Sequence, residues 1–333
     1  MKKTRVAALQ MQGRVADIRY NLDHVRELLD EAVHLKAEVV AVPEFFTTPI
    51  IEDARLWGAS LPAENPALDL LKEYATRHKI LIGGSYLEYR PGNSGPHVYN
   101  CYVLVQPDGT VSRHDKDRPT MIENAYYTSG HDDGLHRTSL GRVGTAVCWE
   151  TIRTATVQRL RGNIDFVMTG SHWWSPPFHW PVIAPFLRTM AKMNEVYMER
   201  APVEFARMLG VANIHASHCG ALDGTIPVLS QGLTSAPYHG ELMGEAQIID
   251  NRGTRLARRH RNEGPGVITA DLDLVPATPT LPMSNRFWIP DLGWRFRFFW
   301  HQQNLCGRQL YDKARRQGLI RYSRIGVCPT RSR

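Results

Sequence analysis

Three side chains in this sequence could form one reactive set: the thiol of Cys148, the ammonium of Lys116 and the carboxylate of Glu44. A thiol can attack an electrophilic carbon. A carboxylate in apolar surroundings can take up and return the proton, and an ammonium can hold the negative charge that develops. With a carboxylate as the base no histidine is required, which separates the set from papain-like proteases. Taken singly, each residue has an ordinary alternative. Cys148 could be a small core residue, Glu44 a solvent-facing loop carboxylate and Lys116 a surface cation. Their placement argues otherwise.

Cys148 ends a short apolar run, Val143 to Cys148, bounded upstream by Gly141 and Gly144. Such a run reads as a buried strand. The period then changes, and Thr151 to Leu160 reads as a helix with Thr151 or Thr154 as N-cap. Free backbone N–H groups at that turn would favour a thiolate and an oxyanion. Glu44 follows Glu38–Pro43, a second buried strand, and is flanked by Phe45 and Phe46. Desolvation there would raise its pKa toward the range of a general base. Lys116 lies just past a hairpin formed by Asn100–Val105, the turn Gln106-Pro-Asp-Gly109 and Gly109–Arg113. All three groups therefore stand at strand ends.

The remaining elements complete an α/β alternation. Strands are expected at Arg5–Met11, Ile80–Tyr86, Asp165–Thr169, Val211–Ala216 and Gly266–Leu272, with a hairpin over Glu245–Arg258. Helices are expected at about Asn21–Lys36, Pro66–His78 and Ala184–Met198. Apolar strands separated by amphipathic helices imply a sheet covered by helices. The strand Asp165–Thr169 runs into Gly170-Ser-His-Trp-Trp-Ser-Pro-Pro177, so His172, Trp173 and Trp174 are candidates for a pocket wall, with core packing as the alternative. His215, His218 and Cys219 could suggest zinc, but no second matching cluster exists, so no metal is expected.

Composition narrows the setting. Five cysteines, an odd number without paired spacing, exclude a disulfide framework and favour a reducing, cytoplasmic compartment. The opening apolar run, Val6–Leu9, is too short for a signal peptide. The formal charge of +7 is uneven: Arg295–Arg333 holds nine arginines and Lys313 against Asp312 alone. The body is slightly acidic and gives no electrostatic argument for nucleic acid. Seven aromatics crowd Phe287–Trp300 beside that tail. This divides the chain into a domain, 1–286, and an aromatic, basic extension, 287–333. Subunit exchange is the favoured role of the extension, ahead of packing on its own domain and of contact with an anionic membrane surface.

Three segments carry a resemblance to the nitrilase superfamily of carbon–nitrogen hydrolases: VVAVPEFF around Glu44, HDKDRPTMIENAYYTSG around Lys116 and Glu123, and LGRVGTAVCWE around Cys148. The resemblance runs from about Arg5 to Leu274 and includes the order Glu, Lys, Cys. It implies a four-layer αββα sandwich and a homo-oligomer, dimer or larger. It also implies a supporting carboxylate at Glu123 and an oxyanion site made by Lys116 and the backbone N–H of Trp149. The activity implied is hydrolysis of a small amide or carbamoyl substrate through a covalent Cys148 intermediate, without a cofactor. The Lys-x-x-Pro-Thr-x-x-Glu and Cys-Trp-Glu segments look like true nitrilases, so nitrile hydrolysis stays open beside it. A rival of another class is a binding or scaffold protein that keeps the residues unused.

Overall fold

A computed structural model describes residues 3–93, 95–177, 180, 184–229 and 234–325. The first half comprises β1 (Thr4–Met11), α1 (Ile18–His34), β2 (Val39–Ala41), α2 (Pro66–His78), β3 (Leu81–Arg90), β4 (His97–Val105) and β5 (Val111–Asp115). The second comprises β6 (Leu135–Thr138), β7 (Gly141–Val147), α3 (Thr154–Leu160), β8 (Phe166–Ser171), α4 (Ala184–Leu209), β9 (Ala212–Pro227), β10 (Ser235–Ile249), β11 (Arg255–His260), β12 (Gly266–Leu272) and α5 (Trp294–Arg316).

Strand pairing divides these into two six-stranded sheets, β5-β4-β3-β2-β1-β12 and β6-β7-β8-β9-β10-β11. The two meet where Gln10 and Met11 of β1 pair with Ser217 and His218 of β9. Side-chain alternation along each strand builds the layers. From β1, Ala7 and Leu9 face α1 and α2, joining Val25, Leu29, Leu68 and Leu71 in one core. Val6 and Ala8 point the other way, into a core shared with Val143, Phe166 and Ile214 of the second sheet. On the far side Ala146 and Val167 pack against Val157 of α3 and Phe205 of α4. The architecture is therefore helix, sheet, sheet, helix, as expected. Strands buried on both faces explain the unbroken apolar runs.

Several boundaries differ from expectation. Helix α1 begins at Ile18 because the Asp17 side chain accepts the Tyr20 N–H. Beyond Cys148 the chain first makes a 3-10 turn, Cys148–Ile152, and α3 starts only at Thr154, with no side-chain cap from either threonine. Helix α4 continues to Leu209 through Pro202, and β9 and β10 run to 16 and 15 residues. Glycine, proline and polar residues in their distal halves hide that extension from a pattern reading.

The described part of the C-terminal segment lies on its own domain. Trp288 meets Trp149 edge to face at 5.2 Å, and α5 crosses the 3-10 turn Met121–Ala125. Gly307 permits this closeness, since a Cβ there would stand 2.8 Å from that of Asn124. Arg331 and Arg333 of the basic tail lie outside the described residues. Among the described residues no helix is long and apolar enough to cross a membrane.

Candidate active site

Glu44 follows β2 in a loop that presses on β8. At Gly170 a Cβ would sit 2.7 Å from the Glu44 backbone nitrogen, so that strand can pass only as glycine. His218 of β9 lies 2.6 Å from the Glu44 carbonyl oxygen through Nε2. Burial holds the His218 ring neutral, with its pKa near 4, and the neutral ring donates that bond. The Glu44 carboxylate is fully buried and accepts from three donors. Asn100 Nδ2 and Lys116 Nζ reach Oε1 at 2.8 Å each, and the His172 N–H reaches Oε2 at 2.8 Å.

Lys116 stands one residue past β5 and is also fully buried. Its ammonium donates to Glu44 and, at 2.7 Å, to Glu123 Oε2. The rings of Phe45 and Tyr127 lie 5.9 Å away. Glu123 Oε2 further accepts from the Thr120 N–H at 2.9 Å and from the Tyr127 hydroxyl. Cys148 begins the turn after β7, and one ligand-capable atom each from Glu44, Glu123 and Cys148 lie within 4.8 Å of one another. That spacing suits a cation, and the cation beside these carboxylates is the Lys116 ammonium. His215, His218 and Cys219 make no metal cluster. His215 bonds Thr169 and Ser171, while His218, three residues along the strand, serves Glu44 on the opposite face.

Burial sets the electrostatics. It lifts the Glu44 carboxyl to about 7, with the nearby Glu123 charge adding to the rise and Lys116 opposing it. It pushes the Cys148 thiol well above its ordinary value, and the Glu44 charge adds to that. The turn N–H groups therefore do not yield the resting thiolate that the strand-to-helix reading suggested. The resting pair is a thiol beside a carboxyl that titrates near neutrality. Burial alone would strip the Lys116 proton, but the Glu123 and Glu44 charges outweigh it and the ammonium is held.

A second ring of contacts was not anticipated from the sequence. His114, on the same face of β5 as Lys116, bridges Asp132 at 2.5 Å and Glu150 at 3.0 Å. Glu150, two residues past Cys148, accepts the Val147 and Asp117 N–H groups at 2.7 and 3.1 Å. The pair ties the Lys116 strand to the Cys148 turn. The i, i+2 spacing of His114 and Lys116 was the available signal. Non-glycine residues in the left-handed region adjoin each reactive group: Phe45 (φ 53°), Met121 (φ 54°) and Cys148 itself (φ 52°). Such strain persists only where surrounding structure enforces it.

A cavity of about 30 Å³ opens at Cys148, lined by Glu123, Trp149, His172, Trp173 and Trp174 among others. Asn194 of α4 braces both indole residues, accepting from Trp173 Nε1 and donating to the Trp174 carbonyl. Phe296 and Phe299 of α5 close one wall, a contribution sequence reasoning assigned to no site.

Comparison with known proteins places this geometry. The family model described as Carbon-nitrogen hydrolase matches residues 5–280. The chloroplastic omega-amidase of Arabidopsis thaliana is 27% identical over 202 residues, covering 55% of this chain and 53% of that protein. The chain thus spans about half the length of that relative. The arylacetonitrilase of Hypocrea virens is 22% identical over 317 residues, covering 87% and 90%. Among solved structures, a mutant of the Nesterenkonia sp. AN1 amidase with acrylamide added at its active-site cysteine superposes with a TM-score of 0.58. It is 19% identical, over 81% of this chain and 93% of that one.

Proposed function

The chain belongs to the carbon–nitrogen hydrolase family; on that premise we propose that it hydrolyses carbon–nitrogen bonds other than peptide bonds, cleaving small amides or carbamoyl compounds through a thioester on Cys148. The observation that carries this reading is the buried cluster of Glu44, Glu123 and Cys148 atoms within 4.8 Å around the Lys116 ammonium. Glu44 takes the thiol proton as sulfur attacks the carbonyl carbon. Lys116 and the Trp149 N–H hold the oxyanion. Glu44 then returns the proton to the departing ammonia or amine, and in the second half activates the water that releases the acid. Glu123 orients Lys116. In this reading residues 1–286 are the catalytic unit and 287–333 an extension that helps wall the site. The outer face of α5, where Trp294 and Phe298 are each 68% exposed, supports self-association.

The extended alignment with the Hypocrea virens arylacetonitrilase favours a second reading, nitrile hydrolysis through a thioimidate on the same sulfur. Ammonia release from a panel of amides and nitriles, with and without a thiol alkylator, tests both. Cys148→Ala should lower turnover by several powers of ten, since loss of a nucleophile costs on the order of 10⁶ in a comparable machine. Retention of a tenth of the activity would overturn the thiol mechanism and leave the scaffold reading.

A further inference from the structure

The cavity beside Cys148 has a consistent chemical character. Its apolar wall is made by Met121, Trp149, Trp174, Met190, Phe296 and Phe299. Among the described residues lining it, none carries a positive charge. Glu123 is engaged by Lys116, and His172 is neutral because burial and the nearby His218 and Lys116 hold its pKa well below the usual range. Lys116 itself already donates to both flanking carboxylates, and the proposed reaction commits its remaining N–H to the oxyanion, which leaves none for a carboxylate in the acyl part.

Beside the Thr120 hydroxyl on the same lining, unpartnered among the described residues, His172 supplies an unspent polar handle. It is 1% exposed, and its Nε2 accepts the Ile50 N–H at 3.2 Å. That bond fixes the tautomer, so the proton rests on Nδ1, which has no partner among the described residues. A buried donor without a partner is costly unless something else accepts from it.

We infer that this cavity selects uncharged substrates, an amide or nitrile whose acyl side is short and apolar, with the His172 Nδ1–H donating to a neutral acceptor on it. The inference rests on the function proposed above and deepens it. A substrate with a carboxylate in its acyl part would bring an unpaired charge into a wall that offers no cation, against a desolvation penalty that buried pairing alone offsets. An apolar chain instead gains from burial. The cavity has room for two or three water-sized groups, so short chains enter most easily, and the unbranched Met121 and Met190 can rearrange around them.

The test uses two ligands of matched shape, isovaleramide and malonamate, in which an isopropyl group replaces a carboxylate. Each is titrated against the full-length Cys148→Ala protein by tryptophan fluorescence, which reads binding without turnover. Isovaleramide is expected to bind at least about a hundredfold more tightly, and Phe299→Arg to shrink that ratio tenfold or more. Malonamate binding within threefold of isovaleramide, or neither binding, overturns the inference. Ammonia release by the unmutated enzyme is measured separately. Selective binding of isovaleramide with no release from any amide or nitrile would overturn the proposed hydrolysis and leave the selectivity standing. Rapid release from malonamate would do the reverse.

Discussion

Asn304 offers a stringent test of how the site is held. It lies on α5, 5% exposed, and its Oδ1 accepts from the Met121 N–H and from Asn124 Nδ2, both at 2.8 Å. Met121 opens the turn that carries Glu123 and holds φ at 54°, a conformation costing on the order of 1–3 kcal/mol in a non-glycine residue. Asn304→Leu would remove the acceptor while keeping the branched shape and the number of side-chain heavy atoms. Asn124 keeps the carbonyls of Met121 and Pro119 at 2.9 and 3.3 Å. The Met121 N–H would be left buried without a partner, a loss of about 1–3 kcal/mol. That is as large as the strain it helps to hold, so the turn should relax and Glu123 should lose its register with Lys116. The expected result is a destabilisation of about 2 kcal/mol in urea unfolding and a kcat lowered at least tenfold, since a displacement near 1 Å can cost about 10² in rate. Asn304→Asp retains the acceptor in a groove that also holds Arg118, Arg153 and Arg308, and should stay within about 1 kcal/mol and keep most of the activity. If leucine and aspartate were equally damaging, or if leucine kept kcat within twofold, Asn304 would not position the turn.

Two further outcomes follow from the buried charges. Because Glu44 must be ionised to accept a proton and burial lifts it to about 7, kcat/KM should fall about tenfold per pH unit below neutrality; an acid limb near 4–5 would show that burial does not dominate. The Glu150 and Asp132 charges outweigh burial and raise His114 to about 10, above its unfolded value near 6.5. Its contribution to stability should therefore be complete below about 6.5 and vanish as pH rises toward 10. Urea midpoints at pH 6, 8 and 10 should fall for the wild type, whereas His114→Gln, weaker by about 3–5 kcal/mol at pH 6, should lack that slope. Parallel profiles would exclude His114 as the source.

Legibility in the sequence followed the range of the interaction. Glu44 and Cys148 sit at the ends of short apolar runs, and a run's end is visible wherever its hydrophobic pattern stops; Lys116 follows a polar strand, Val111–Asp115, that the turn signal of its hairpin marks. The same holds for β1, β2 and α2, whose faces alternate or repeat cleanly. The distal halves of β9 and β10 were not legible, because they pair chiefly with each other and are rich in glycine and polar residues. Helix α5 was read as an aromatic and basic extension. Its even mixture of arginine and aromatic residues conceals that Phe296 and Trp300 face inward while Trp294 and Phe298 face solvent. Nor could local pattern reveal that burial would raise the Cys148 thiol rather than lower it, since that depends on how completely the second sheet covers the turn.

The braces of the three strained residues explain why the supporting residues escaped notice. Phe45, Met121 and Cys148 each occupy a region that disfavours side chains, at a cost on the order of 1–3 kcal/mol apiece. None is held only by its own segment. The carbonyl of Glu44, just before Phe45, is bound by His218 from β9, and the Met121 N–H by Asn304 from α5. The Val147 N–H, just before Cys148, is bound by Glu150, which is itself fixed by His114 from β5. The sequence separations are 174, 183 and 36 residues. A reactive residue can be found from its neighbours along the chain, but the groups that keep it in an unfavourable conformation must come from elements whose folding does not depend on that residue. Distance in sequence is therefore a condition of the brace: a partner from the same short loop could relax together with the strain, whereas β9 is fixed by its pairing with β8 and β10 and α5 by packing that reaches beyond the turn it braces.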